Sequence, residues 1–390
     1  MLGVVDVSYY SEVKELESIR LLYQYNASLW DRWAKHVRKG GKVVGTLACP
    51  PTELLNAYDV FTIVYKRRED LNRAIIKGDY ELKKWISHFG VGECICRNIS
   101  GGAGSPILGA SPGYNLVVTD FVEKVPEWYY FLKKIGNEWN FEFLEIERGL
   151  SRREREEIIY DRLLYLNDLL IQLTGEKVSE DRIVESCEMT NEISLVFQEI
   201  DTLIRKSHPL RSFDVYNLKV ICTDYVGGEV DAILDLCYRL IEELKTKLKE
   251  AERREAKRLL LVGGFRNEFL EPIERNGGIV TAAWPYQRFT SHRTPIKIRS
   301  DVFRSLARWI SNHSGIGTPR EDALDMKDMI KTYEIDGVIY HKQCPFGIKA
   351  VYESYKDIRD SIKIPFLTIN PEECNVENKI REFLLALHET

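Results

Sequence analysis

The sequence predicts an α/β protein, built from two doubly wound parallel-sheet units of the Rossmann or flavodoxin type with a helical region between them. Three observations predict it. Short β-rich apolar runs alternate with charged, helix-like segments in both end regions, the pattern of βαβ units. The middle of the chain reads as helix. Two apolar runs, Lys42–Gly45 and Arg258–Phe265, lead into Pro- or Gly-containing turns before the next helix. The expected parts are 1–150, an N-terminal helix plus an α/β domain; 151–254, the helical region; and 255–390, a C-terminal α/β domain.

In order, Ser11 to Lys39 reads as helix, with Val13, Leu16, Ile19, Leu22 and Tyr23 at helical spacing and Gly40-Gly41 as its stop. Lys42–Gly45 is a buried strand and Glu53–Ala57 the helix after it. Pro50 and Pro51 fit the turn and the first helical position. Val60–Tyr65 is a strand, and Arg67–Phe89 a helix ending at Gly90. Asn115–Asp120 is a strand, Pro126–Gly136 a helix, and Phe141–Ile146 closes the unit. Ser151-Arg152-Arg153-Glu154 opens the helical region with a capping box, and Val230–Lys249 is a long amphipathic helix. The second unit runs through strand 258–265, helix 269–275 and strand 278–284. Helices follow at 301–311 and 321–333, then strands at 335–339 and 364–370 and a last helix at 376–388.

Composition narrows the function. The chain has 390 residues, enough for two or three cores. A net charge of −5 gives no global basic field for nucleic acid. The local basic run Arg152-Arg153-Glu154-Arg155 is interleaved with acid and reads as a solvated helix face. No apolar run reaches the length of a membrane span. The N-terminus lacks a signal peptide's charged and apolar regions, so the expected location is cytoplasmic. There, eight cysteines are thiols, metal ligands or redox groups rather than a disulfide framework.

Cys49 falls at a strand tip beside a helix N-terminus, where open α/β sheets bind ligands and where thiolate is favoured. Cys94 and Cys96 lie in the glycine-rich stretch Gly92–Ser105. It lacks the Gly-Lys-Ser/Thr ending of a phosphate loop. Cys344 follows the strand Ile335–Ile339, in a loop that also places His341 nearby as a packed or solvated side chain. Cys187, Cys222 and Cys237 have apolar neighbours and read as structural, and Cys374 lies in a loop. Thiolate-rich sites with few other ligands favour iron–sulfur clusters or zinc. Paired Cys-x-x-Cys spacing for structural zinc is absent, and a cluster held by three cysteines, with one iron open, fits better.

The sequence resembles the subunits of 2-hydroxyacyl-CoA dehydratases and ATP-dependent benzoyl-CoA reductases. The resemblance rests on Gly45-x-x-x-Cys49-x-Pro51-x-Glu53-Leu54-x-x-Ala57 and on Cys94 followed by Arg97. It rests also on Val117-Val118-Thr119-Asp120, and on Ile335-Asp336-Gly337-Val338-Ile339 leading to Cys344. It implies one [4Fe-4S] cluster bound by Cys49, Cys344 and a middle ligand. Cys94 sits better than Cys96 relative to Arg97 and Asp120. That family often has Cys-Asp where this chain has Thr119-Asp120, which leaves the branch open.

The implied chemistry is one-electron. An ATP-dependent iron–sulfur activator protein feeds the cluster, and the electron passes to an acyl-CoA substrate, for dehydration or for aromatic ring reduction. A second homologous subunit is the implied partner, with no nucleic acid and no membrane. Glu53 is the candidate catalytic acid, able to hydrogen-bond or protonate substrate; the plainer reading is an acid favouring a helix N-terminus. The competing readings are an electron-storing or scaffold partner, and a cluster-free α/β binding protein.

Overall fold

The computed structural model describes residues 16–46, 51–64, 115–118, 141–142, 144, 146, 150–207, 210–223, 230–248, 256–263, 269–284, 294–312, 318–341, 364–370 and 375–389. The helices expected at 67–89 and 126–136, the stretch 92–105, and Cys49, Cys94, Cys96, Cys344 and Cys374 lie outside these residues.

Among the described residues the fold is mixed α/β, with two parallel sheets. The first has four strands in the order β2-β1-β3-β4. They are β1 (Val43–Thr46), β2 (Phe61–Val64), β3 (Leu116–Val118) and β4 (Phe141–Glu142). The second also has four, in the order β6-β5-β7-β8. These are β5 (Lys257–Val262), β6 (Gly278–Trp284), β7 (Gly337–His341) and β8 (Phe366–Ile369). Every pairing is parallel. In each sheet the strand order reverses beside the first strand, between β1 and β3 and between β5 and β7, the position at whose carboxyl ends open α/β sheets bind ligands.

The helices are α1 (Glu17–Ala27), α2 (Leu29–Arg38), α3 (Thr52–Ala57), α4 (Arg152–Thr174), α5 (Glu180–Ser207), α6 (Ser212–Thr223) and α7 (Val230–Leu248). In the second half come α8 (Leu270–Arg275), α9 (Val302–Ile310), α10 (Pro319–Thr332) and α11 (Val376–Glu389). Among the described residues no helix is long and apolar enough to cross a membrane.

Local chemistry explains these elements, including places where they differ from expectation. The first helix is interrupted at Ser28. Its hydroxyl donates to the Tyr25 carbonyl at 2.8 Å, a local bond that competes with continuation of the helix. Pro51 is the N-cap of α3 rather than its first helical residue. Arg155 is not on a solvated face: Arg152, Arg153 and Glu154 are exposed, but Arg155 is buried. The Ser151–Glu154 capping box forms as expected, with the Ser151 N–H donating to Glu154 Oε2 at 2.8 Å and the Glu154 N–H to Ser151 Oγ at 3.3 Å.

Among the described residues the apolar side chains form four cores. Val44, Leu116 and Val118 of the first sheet pack with Leu54 and Leu55 of α3, Leu163 and Leu166 of α4, and Leu306 of α9. The apolar stripe Ile19, Leu22 and Tyr23 of α1 packs with α5, α6 and α7. The second sheet is covered on both faces. Leu259, Leu261 and Ile339 meet α8 and α11, whereas Leu260, Val262, Val338 and Tyr340 meet α10. Each such side chain contributes about 1.5–3 kcal/mol of burial free energy, and β6 and β7 are buried at every position.

Candidate active site at the edge of the first sheet

Pro51 sets the start of α3: its carbonyl accepts from the Leu54 and Leu55 N–H groups at 3.1 and 3.2 Å. Glu53 therefore sits in the first turn, beyond the carboxyl end of β1. It is 1% exposed. Neither carboxylate oxygen has a hydrogen-bond partner among the described residues. A helix N-terminus favours a carboxylate, yet burial without a bond costs about 1–3 kcal/mol even for a neutral polar group. Native proteins rarely leave such groups unpaired.

The same edge carries more of them. Thr46, the last residue of β1, and Thr62 of β2 are buried, and both hydroxyls lack a partner among the described residues. The register Val44↔Thr62 and Thr46↔Val64 puts Thr46 and Thr62 on one face of the sheet. Asn56 Oδ1 of α3 is likewise buried and unbonded among the described residues. Sequence reading named Glu53 but missed both threonines. The available signal was a polar residue closing an otherwise apolar strand just ahead of the Cys49 turn.

α3 packs on α5, and this brings Cys187 into the electrostatic field of Glu53. Burial pushes the Cys187 thiol well above its ordinary pKa, and the negative charges of Glu53 and Glu188 add to the shift. Such a thiol is inert rather than nucleophilic. Cys187 and Cys237 are both buried and free, in keeping with structural roles. Cys222 lies within α6.

The second sheet ends differently. Gly263 follows β5 with φ +99°, and a Cβ there would meet the His341 carbonyl oxygen at 2.7 Å. Its N–H donates to the Trp284 carbonyl at 3.1 Å. His341, the last residue of β7, is fully buried with its ring 5.7 Å from that of Phe269. It is thus a packed histidine. Trp284 is buried too, its indole N–H unpaired among the described residues. Cys344 lies three residues beyond His341 in sequence, and Cys49 three beyond Thr46.

Among the described residues no group of three or more His, Cys, Asp and Glu side chains could hold a metal ion. Of the candidate site residues, Glu53 alone is among them. A family model for the 2-hydroxyglutaryl-CoA dehydratase D-component matches residues 95–382. The chain belongs to the 2-hydroxyglutaryl-CoA dehydratase D-component family. No curated protein matches it.

The name of the D-component family makes the chain one part of a multi-component dehydratase. The matched span includes Cys96, Cys344, the helical core and the second sheet. Cys49, Glu53 and Cys94 precede it. The orphaned Glu53 carboxylate and threonine hydroxyls fit a group that completes the first edge. They leave the edge polar, desolvated and short of partners, as a bound cofactor or substrate requires.

Proposed function

We propose that this chain is the iron–sulfur subunit of an oxygen-sensitive radical enzyme acting on acyl-CoA thioesters, either dehydrating a 2-hydroxyacyl-CoA or reducing an aromatic acyl-CoA. Cys49, Cys94 and Cys344 would hold a [4Fe-4S] cluster, with Cys96 as the alternative middle ligand. Family membership supports the reading. The observation that carries it is Glu53, buried and unbonded among the described residues, four residues after Cys49.

When bound, the cluster would supply a single low-potential electron. The chain's own residues do the rest. Glu53 holds or gives a proton at a carboxylate oxygen facing the substrate. Thr46 and Thr62 offer hydroxyls that fix its orientation. Leu54 and Leu55, both fully buried, keep water from the edge. In this reading each parallel sheet forms a doubly wound domain. The parts are 1–150, 151–254 and 255–390, with α1 packing onto the helical core and α9 onto the first sheet's core. The partners are a second homologous subunit and an ATP-dependent iron–sulfur activator protein, in the cytoplasm.

Iron analysis of anaerobically prepared protein tests this. The expected content is about four irons per chain, with broad visible absorbance. Cys49→Ala or Cys344→Ala should lose most of the iron, and Cys237→Ala should keep it. Colourless protein, about eight irons per chain, or full retention in both ligand variants would overturn the reading.

A further inference from the structure

α10 is bonded at both ends to helices of other cores. It covers the second sheet through Ala323, Met326 and Met329. Just past its C-terminal end, the Tyr333 hydroxyl donates to Asp201 of α5 at 2.9 Å. Arg205 of α5 donates to the Thr332 carbonyl at 2.6 Å. At the N-terminal end, Glu321 accepts two bonds from the Arg155 guanidinium of α4, at 3.0 and 3.1 Å. Arg155 also donates to the Leu150 and Ser311 carbonyls, at 2.9 and 3.2 Å. α4 and α9 both pack in the first sheet's core. One guanidinium therefore joins that core, the end of α9 and the start of α10.

The two ends of α10 are unlike. Asp201 and Tyr333 are each 4% exposed. At the other end the Arg155 side chain is 2% exposed, but that of Glu321 is 45% exposed. The half-exposed Glu321 carboxylate can trade its partner for water, so the cost of opening falls on the buried Arg155, whereas at the other end both Asp201 and Tyr333 are buried. Release of Glu321 also leaves α10 intact. Glu321 belongs to a second capping box, in which the Thr318 N–H donates to Glu321 Oε2 at 2.6 Å and the Glu321 N–H to Thr318 Oγ1 at 3.3 Å. Arg155 keeps two carbonyl partners when Glu321 leaves, which offsets part of the cost of its burial.

We propose that Arg155–Glu321 is a releasable latch between the first sheet's core and the helix that covers the second sheet, and that Asp201–Tyr333 is the fixed pivot about which α10 turns when the latch opens. This stands whether or not the chain binds a cluster.

Hydrogen–deuterium exchange on the full chain tests it. Glu321→Gln keeps a residue able to complete the capping box but removes the charge that Arg155 binds. It should raise exchange severalfold at the start of α4 and the end of α9, leaving α5 around Asp201 unchanged. Thr318→Ala, which removes the cap and keeps the ion pair, should affect the first turn of α10 alone. Tyr333→Phe should raise exchange in both α5 and the last turn of α10. The latch is refuted if the Glu321→Gln profile matches that of Thr318→Ala. The pivot is refuted if Glu321→Gln also loosens α5 at Asp201, or if Tyr333→Phe changes neither helix.

Discussion

β1 and β5 occupy corresponding places in two sheets of the same strand order, β2-β1-β3-β4 and β6-β5-β7-β8. Their carboxyl ends are built for different work. Beyond β5, Gly263 turns with its Cα against the His341 carbonyl, leaving no room for a side chain. Trp284, His341 and Phe269 fill in around it. At β1, the strand ends on a buried threonine, and a buried glutamate follows in α3, both without hydrogen-bond partners among the described residues. The second edge uses its residues for packing. Among the described residues both edges keep an unpaired buried polar group, but the second leaves the donor indole N–H of Trp284, whereas the first leaves a carboxylate and two hydroxyls, which a bound ligand could satisfy. The two copies of this edge thus differ in the kind of polar group left unpaired, a carboxylate with hydroxyls at the first and an indole N–H at the second.

The largest expected effect breaks the second edge. Gly263→Ala places a Cβ 2.7 Å from the His341 carbonyl oxygen at a φ of +99°. It should cost about 2–3 kcal/mol in denaturant unfolding. A neutral substitution would show that this edge is as adaptable as the first.

Next comes the reverse effect at the first edge. Glu53→Met keeps the size of the side chain and removes two unbonded oxygens. It should raise stability by about 1–3 kcal/mol and, on the proposed function, abolish turnover of the acyl-CoA substrate. Functional sites commonly trade stability in this way. A loss of stability instead would mean that Glu53 serves the fold, as an acid supporting a helix N-terminus.

Thr46→Val is the smaller version of the same test. The shapes match, and the buried hydroxyl has no partner among the described residues to lose. The gain should be about 1 kcal/mol, read from the same unfolding curves.

The second sheet was the more legible of the two. Gly278–Trp284 reads as a strand residue for residue, because its one polar residue, Thr281, is β-branched and lies inside an apolar run rather than at its end. β1 was displaced by one residue, since its last position is Thr46, whose polarity hides its burial. Arg155 looked like part of a charged surface run. Its partners include Glu321 and the Ser311 carbonyl, 166 and 156 residues away, and no local pattern encodes such a pairing. Thr318 was missed as a cap because a reading that starts the helix at Glu321 skips its first turn. At the site, the Glu53 position was readable from the strand–turn–helix pattern. Its neighbour Cys187 was not, because the packing of α3 on α5 is a tertiary event.

That neighbour supplies the smallest and most specific test of how the first edge is walled. The Cys187 thiol is pushed above its ordinary pKa of 9.0 by burial, and by Glu53 and Glu188. The folded protein therefore holds a proton that the unfolded chain releases first as pH rises. Stability from this group is fully present below the unfolded thiol's pKa and is lost as pH climbs past it toward the folded value. The slope is about 1.4 kcal/mol per pH unit. Cys187→Ala should lower stability by a constant amount at neutral pH, because it removes a buried side chain from the core that contains Leu166 and Ile183. Above the ordinary thiol range the gap between wild type and variant should narrow, since only the wild type carries the proton linkage. Unfolding curves collected across the alkaline range check this. A gap that stays constant would mean that Cys187 ionises as freely in the folded protein as in the unfolded chain. The wall between α3 and α5 would then admit water, and Glu53 could not be working in a dry site.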